Sequence, residues 1–130
     1  MLVLEYNPAI EFFVNILHFD LVEDVPSLTT DGRAKRWVVV RPQGGRAGIL
    51  LARADSDEQR ALVGRQFGGR VGFFLRVDDF EVTHARLVAA GVQFVREPRV
   101  EAHGTVAVFL DLHGNWWDLL GPRLLDDVSC

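Results

Sequence analysis

The sequence predicts an α+β fold made of two tandem β-α-β-β-β modules, and three observations support this prediction. First, the order of one strand, one helix and three strands occurs twice, on either side of a polar stretch at residues 55–69. Second, the two halves of the sequence align at an offset of 73 residues. This offset matches the ends of the two predicted helices, His18 and Gly91, and also matches Leu4 with Val77. Third, 130 residues with 48% hydrophobic and 25% charged side chains suit one ordinary soluble domain.

The first module covers residues 1–54 and begins with a short apolar strand, Leu2 to Glu5. Asn7-Pro8 has the form of a helix start, with Asn as the N-cap and Pro at the first helical position. The helix is expected to reach Leu17, because apolar side chains follow at spacings of 3, 4 and 7. His18 then stands where a left-handed residue is needed, a conformation in which His is enriched. Three strands complete the module: Phe19–Val25, Lys35–Arg41 and Ala47–Arg53.

A polar, glycine-bounded linker at 55–69, with one or two helical turns, leads to the second module at 70–122. Arg70 to Val77 is the first strand, and Asp78-Asp79 supplies the N-cap of a helix that ends at Gly91. The remaining predicted strands are Val92–Arg96, which Pro98 ends, and a hairpin of Thr105–Leu110 with Trp116–Leu120. The tail at 123–130 is expected to be loosely ordered.

Composition excludes several classes of function. The net charge is −4, and the single Lys and scattered Arg residues form no basic stripe, which argues against a nucleic-acid partner. No apolar run approaches the length that crosses a bilayer, and the N-terminus has no secretory pattern. The one cysteine, Cys130, is the last residue, so no intramolecular disulfide forms. We therefore expect a cytoplasmic protein without membrane contact.

One motif connects the sequence to a known family. Asp111-Leu-His-Gly-Asn-Trp-Trp-Asp-Leu119 resembles the Asp-Pro-x-Gly-Asn-x-x-Glu-Leu signature of the vicinal oxygen chelate superfamily, which contains glyoxalases, bleomycin-resistance proteins and extradiol dioxygenases. Glu11-Phe-Phe-x-x-x-Leu17-His-Phe19 resembles that family's Phe-Tyr-x-x-x-Leu-Gly-Phe helix end, and Gly91-Val-x-Phe94 its second-half counterpart. The resemblance covers nearly the whole chain. It implies the glyoxalase/bleomycin-resistance fold, an open cupped barrel with the helices outside and the substrate site in the cup.

The resemblance also implies where a divalent metal would bind, because the family draws three or four His, Gln or Glu ligands from the first and last strands of each module. Here Gly72 stands at one of these positions, and another falls before Met1. The first module's last strand offers only apolar residues at 48–51. Asp118 alone remains, in the Glu position but one methylene shorter. We therefore expect no cofactor, with a divalent metal as the alternative.

The histidines do not rebuild a metal site. His84 falls within the second helix and His113 in a hairpin turn, and no two of the four histidines have a ligand-like spacing. His103 precedes Gly104 in a connection that overhangs the cup in many relatives, so it is either a pocket residue or part of a surface loop.

Strand alternation and the resemblance together select six candidate ligand-binding residues. If Asp118 faces the cup, Trp116 and Leu120 do as well, while Trp117 and Leu119 face the helices. The candidates are Trp37, Phe74, Arg76, His103, Trp116 and Asp118. Aromatic walls with a few polar groups are typical of a small-molecule site. The alternative is that Trp116 is a core residue and that Arg76 and Asp118 form an ion pair.

The sequence thus favours a glyoxalase/bleomycin-resistance-like protein that binds a small aromatic or amphipathic molecule without the usual metal. The alternative is a metal-dependent glyoxalase-like lyase or isomerase, or a dioxygenase-type enzyme, of the same superfamily. In the family, modules pair within a chain and often again between chains. We therefore expect a homodimer in which strand edges are covered across a two-fold axis.

Overall fold

The fold is described from a computed structural model, which covers residues 1–102 and 104–122. The chain divides into two compact units, Met1–Gln66 and a second that begins at Phe67. The sequence predictions for His103 and for the tail at 123–130 lie outside the described residues. Within the described residues, no helix is both long and apolar enough to span a membrane.

The first unit is a four-stranded mixed sheet packed against a helix. Its strands follow the order β1-β4-β3-β2, in which β1 runs parallel to β4 and the other neighbours are antiparallel. The helical part continues from α1 into a π-helical turn at Phe12–Ile16, which the Leu17 amide closes on the Phe12 carbonyl. The elements are β1 (Leu2–Val3), α1 (Tyr6–Glu11), β2 (Phe19–Leu28), β3 (Ala34–Pro42), β4 (Ile49–Arg53) and α2 (Asp57–Leu62).

The start of α1 differs from the prediction. The N-cap is Glu5, without a side-chain hydrogen bond, and the helix begins at Tyr6, so Asn7 is not the cap. Pro8 is tolerated at the third helical position because the first-turn amides have no carbonyl partner within the helix. The end of the segment agrees with the prediction, since His18 has a φ of 61°.

The second unit repeats the topology of the first. Its sheet order is β5-β8-β7-β6, with β5 parallel to β8 and the other neighbours antiparallel. The elements are β5 (Val71–Arg76), α3 (Phe80–Ala89), β6 (Arg99–Glu101), β7 (Gly104–Leu110) and β8 (Trp116–Leu120). The two β-α-β-β-β modules and the α+β class predicted from the sequence are confirmed.

Local signals predicted the ends of α3 correctly. The Asp79 carboxylate accepts a hydrogen bond from the Val82 amide at 3.1 Å, and Gly91 follows the helix with a φ of 86°. The prediction of a strand at Val92–Arg96 was wrong, because this segment makes only one bridge, between Phe94 and Phe109. The regular strand lies beyond Pro98, which donates no ladder hydrogen bond and so separates the two stretches.

A row of aromatic rings joins α3 to one face of the second sheet. His84 lies between Phe80 and Phe94, at ring-centroid distances of 5.6 and 4.5 Å. From Phe94 the contacts continue through Phe109 to Trp117, which stacks on Phe73 at 4.5 Å. His84 is therefore a packing residue of the second unit, and this row defines the helix-covered face of the sheet.

Candidate functional site

Four of the six candidate residues share the opposite face of the second sheet. Phe74 pairs with Asp118 across β5 and β8, and Arg76 pairs with Leu120. Paired residues project to the same side of a sheet, and positions two apart on a strand do so as well. Phe74, Arg76, Trp116 and Asp118 therefore lie on one surface, which we call the Phe74 face. Trp117 projects to the helix-covered side, where it is only 2% exposed.

The Phe74 face is aromatic and open to solvent. Phe74 is 61% exposed and Trp116 38% exposed, so neither ring is a fully buried core residue. The Arg76 guanidinium carbon lies 5.6 Å from the centre of the Phe74 ring, in cation–π geometry. Among the described residues no ion pair joins Arg76 to Asp118.

The turn before β8 is held by a carboxylate to which the sequence prediction gave no role. Asp111 is 6% exposed, and its Oδ1 accepts hydrogen bonds from the amides of His113 and Asn115 at 2.9 and 3.0 Å. Its Oδ2 accepts from Asn115 Nδ2 at 3.0 Å and from Trp117 Nε1 at 3.1 Å. Asp111 therefore sets the start of β8, and with it the direction in which Trp116 and Asp118 project. The signal in the sequence was an Asp four residues before an Asn, with Gly between them.

His113 lies in the same turn, partly buried. Desolvation by burial lowers the pKa of His113 below its ordinary value, and the Asp111 charge opposes this effect. The Nε2 atom of His113 and the Oδ1 atom of Asn115 are buried without a hydrogen-bond partner in the described part of the chain. The turn therefore favours neutral histidine.

Gly72, one of the positions that the resemblance assigns to a metal ligand, has no room for a ligating side chain. A Cβ atom built on Gly72 would lie 2.3 Å from Cδ2 of Phe67, so the phenyl ring occupies the space that a side chain at this position needs. The pairing register also shifts between Val71 and Phe73, so strict alternation along β5 holds only from Phe73 onward. Across residues 1–102 and 104–122, no three His, Cys, Asp or Glu side chains gather in a group able to hold an ion.

Trp37, the fifth candidate, belongs to the first unit. Val38 and Val40 on β3 are fully buried, which places Trp37 and Val39 on the other face of the strand. Trp37 is 41% exposed, and its indole nitrogen donates to Glu23 Oε2 at 2.6 Å. It also lines a cleft of about 1010 Å³ that is formed by first-unit residues only and that the sequence did not predict. His103, the sixth candidate, lies outside the described residues.

Comparison with known proteins places these features in a family. A sequence profile of the Glyoxalase/Bleomycin resistance protein/Dioxygenase superfamily matches residues 1–119. An uncharacterized protein of Shewanella frigidimarina (strain NCIMB 400) is 50% identical over 121 residues, which cover 92% of this chain and 87% of that protein.

Solved structures agree with this result. UcmS2 has a TM-score of 0.74 and 29% identity, and the match covers 92% of each chain. TnmS3, an antibiotic binding protein from Streptomyces sp. CB03234, has a TM-score of 0.69 and 28% identity over 95% of this chain and 93% of that one.

Proposed function

The chain belongs to the glyoxalase/bleomycin resistance protein/dioxygenase superfamily, and on this premise we propose that it binds a small aromatic or amphipathic molecule on the Phe74 face without a metal. The observation that carries the proposal is the pair of solvent-exposed rings, Phe74 and Trp116, beside a guanidinium and a carboxylate that are not paired with each other. The description of the related TnmS3 as an antibiotic binding protein supports the same class of function.

The chemistry of this face suits recognition of a flat ligand. Aromatic rings supply contact area at a low cost in conformational entropy, and stacking adds about 0.5–1.5 kcal/mol per ring pair. The Arg76 guanidinium can form an ion pair with an acidic group of the ligand, and the Asp118 carboxylate can accept a hydrogen bond from a ligand hydroxyl or amine. Phe67 fills the space beside Gly72, one of the positions at which the resemblance implies a metal ligand, and this supports the metal-free form of the proposal.

Titration with the neutral fluorescent aromatic N-phenyl-1-naphthylamine tests the proposal. We expect saturable binding to the full chain, weakened about 3- to 10-fold in Phe74→Ala and in Trp116→Ala, in proportion to one lost aromatic contact. Val100→Ala, an equally exposed apolar position on β6, is the matched control and should leave the affinity unchanged. Equal affinity in all four proteins would contradict the assignment of the site.

Metal analysis of the purified protein tests whether a divalent ion binds. The purified protein is incubated with Zn²⁺, Ni²⁺, Mn²⁺ or Fe²⁺ salts and dialysed, and bound metal is then measured. We expect well under one equivalent per chain. Close to one equivalent, lost in Asp118→Ala, would instead support the metal-dependent lyase, isomerase or dioxygenase alternative.

We also propose that the protein is a homodimer. The ten-residue strand β2 is an edge of the first sheet, and along it Leu21, Val25 and Leu28 are 42%, 50% and 64% exposed. A ten-residue edge strand with exposed apolar side chains between its charged ones leaves backbone groups open to pairing with a second strand. Sedimentation equilibrium at micromolar concentration should show twice the chain mass, and a clean monomer would contradict the proposal. The cytoplasmic location and the lack of a nucleic-acid partner stay predictions from the sequence.

A further inference from the structure

The first unit contains a cleft where two neighbouring strands of its sheet separate. Pairing between β3 and β4 ends at Val38 and Leu51. Beyond this point β3 continues along β2 as far as Ala34, whereas β4 continues along β1 and leads into α2. The resulting cleft of about 1010 Å³ is as large as the pockets that hold drug-sized ligands.

The wall of the cleft is part apolar and part basic. Tyr6, Trp37 and Leu50 supply apolar surface. Five basic side chains line the cleft against two acidic ones, although the whole chain carries a net charge of −4. The basic residues are Arg33, Lys35, Arg36, Arg53 and Arg60, and the acidic ones are Glu5 and Asp55.

Most of these cations are already engaged. Arg36 makes two hydrogen bonds to Asp24, at 3.0 and 2.6 Å, and one to Asn7 at 2.8 Å. Arg60 pairs with Asp57 at 2.6 Å, outside the cleft lining. Lys35 has no ion pair within the described residues, and it is the only lysine of the chain. A new anion would therefore meet Lys35 and an arginine whose exposed ion pair it can displace.

Two lining arginines, Arg33 and Arg53, make exposed ion pairs with acidic residues of the cleft wall, and Arg53 lies 3.7 Å from Glu5. Arg33 is the better placed to hold a ligand, because a second carboxylate also binds its guanidinium. The loop before β3 is closed by hydrogen bonds from the Thr29 amide to the Arg33 carbonyl at 2.8 Å and from the Arg33 amide to Thr29 Oγ1 at 2.9 Å. Asp31 holds the Nε side of the guanidinium at 3.0 Å. The Thr29 hydroxyl, with Arg33, keeps the pKa of Asp31 below its ordinary value, so this anchor stays charged.

The other end of the guanidinium reaches across the cleft. Nη2 of Arg33 lies 3.2 Å from Oδ2 of Asp55, which follows β4 on the opposite wall. Both side chains are exposed, at 58% and 39%, and exposed ion pairs contribute only about 0–1 kcal/mol. A competing anion can therefore displace Asp55 from a guanidinium that Asp31 keeps in place.

We propose that this cleft is a second binding site, for an amphipathic organic anion whose carboxylate, sulfonate or phosphate takes the place of the Asp55 carboxylate on Arg33. The anionic group also pairs with Lys35, and the apolar body of the ligand packs against Tyr6, Trp37 and Leu50. The site consists of residues 2–60 only, so it does not depend on the function proposed for the Phe74 face.

A pair of matched probes tests the proposal on the full chain. 8-Anilino-1-naphthalenesulfonate is the anionic counterpart of N-phenyl-1-naphthylamine. We expect Asp55→Asn, which removes the competing carboxylate, to tighten sulfonate binding about 3- to 5-fold, and Arg33→Gln to weaken it by a similar factor. Neither change should alter the affinity for the neutral probe by more than about twofold.

Two controls separate this site from general charge effects. Arg99→Gln removes an exposed arginine of the second unit and should leave sulfonate binding unchanged. Arg46→Gln removes an exposed arginine of the first unit that does not line the cleft, and it should also leave sulfonate binding unchanged. Unchanged sulfonate affinity in both Asp55→Asn and Arg33→Gln would overturn the proposal, whatever the neutral probe does.

The single lysine supplies a second, independent measurement. Lys35 and the N-terminal amine are the chain's only primary amines, so an amine-acylating reagent followed by peptide mass spectrometry reports Lys35 alone. Saturating sulfonate should slow acylation of Lys35 about 5-fold or more, since a paired ammonium is a poor nucleophile. The neutral probe should not slow it. Equal acylation rates with and without the sulfonate would also contradict the proposal.

Discussion

Replacement of Asp111 tests how the turn before β8 is held. Its carboxylate accepts four hydrogen bonds in a nearly buried site, two from backbone amides and two from the side chains of Asn115 and Trp117. At roughly 1 kcal/mol per hydrogen bond, Asp111→Ala should lower the free energy of unfolding by about 4 kcal/mol. For a single domain this is a large fraction of the total stability.

Asp111→Asn should be much milder. The amide oxygen keeps the two backbone hydrogen bonds, while the new NH₂ group faces Asn115 and Trp117. The side-chain amide of Asn115 can rotate by 180°, because its buried Oδ1 accepts no hydrogen bond in the described structure and so loses none when it moves. That oxygen then accepts from the new amide, and only the Trp117 hydrogen bond is lost. We expect a loss of about 1–2 kcal/mol.

Urea unfolding, followed by far-UV circular dichroism and by tryptophan fluorescence, measures both variants. With a slope of about 2 kcal/mol per molar urea, the midpoint should fall by about 2 M for Asp111→Ala and about 0.5–1 M for Asp111→Asn. Asp118→Asn is the matched control, because this carboxylate on β8 makes no hydrogen bond within the described residues. A midpoint for Asp111→Ala within 0.5 M of the wild type, or an equal loss in the two Asp111 variants, would refute this account of the turn.

Three further predictions follow from single features. Gly72→Ala should cost about 1–3 kcal/mol, because its Cβ would lie 2.3 Å from the Phe67 ring, and the cost should largely disappear in a Phe67→Ala background. Because burial lowers the pKa of His113 below 6.5, the unfolded chain binds this proton more readily. The free energy of unfolding should therefore fall as the pH decreases from 6.5 through the lower folded-state pKa. His113→Gln should make the urea midpoint less dependent on pH in this range. The same pH dependence in the variant and the wild type would contradict the prediction. His18→Gly should raise the free energy of unfolding by about 0.5 kcal/mol, because His18 has a φ of 61°, whereas His18→Val should lower it in the same urea unfolding assay.

Several parts of the fold could be predicted because their causes are local. The N-cap of α3 depends on Asp79, whose carboxylate accepts from an amide of the first helical turn. The end of α3 depends on Gly91, which adopts a positive φ directly after the helix. The start of α1 could not be read in the same way. Asn7-Pro8 is a plausible cap, but the helix extends back to Tyr6, whose ring is 8% exposed and packs under Arg36. Burial of that ring outweighs the preference for an Asn cap.

The candidate site also has one part that the sequence could predict and one part that it could not. Alternation along β5 and β8 was enough to put Phe74, Arg76, Trp116 and Asp118 on one face, because side chains alternate in any extended strand. It could not tell whether Arg76 pairs with Asp118 or with the Phe74 ring. That choice depends on side-chain positions set by packing, and the structure places the guanidinium by the ring.

The sequence by itself determined the family, the duplicated β-α-β-β-β order and the lack of a ligating side chain at Gly72 and at 48–51, because each is written in residue types and spacings. Only the tertiary structure decided that a ring from Phe67 fills the space beside Gly72 and that Asp111 gathers four donors. It also decided that β3 and β4 separate into a cleft bridged by Arg33 and Asp55. These features join residues from 2 to 22 positions apart, and each depends on the path that the backbone takes between them.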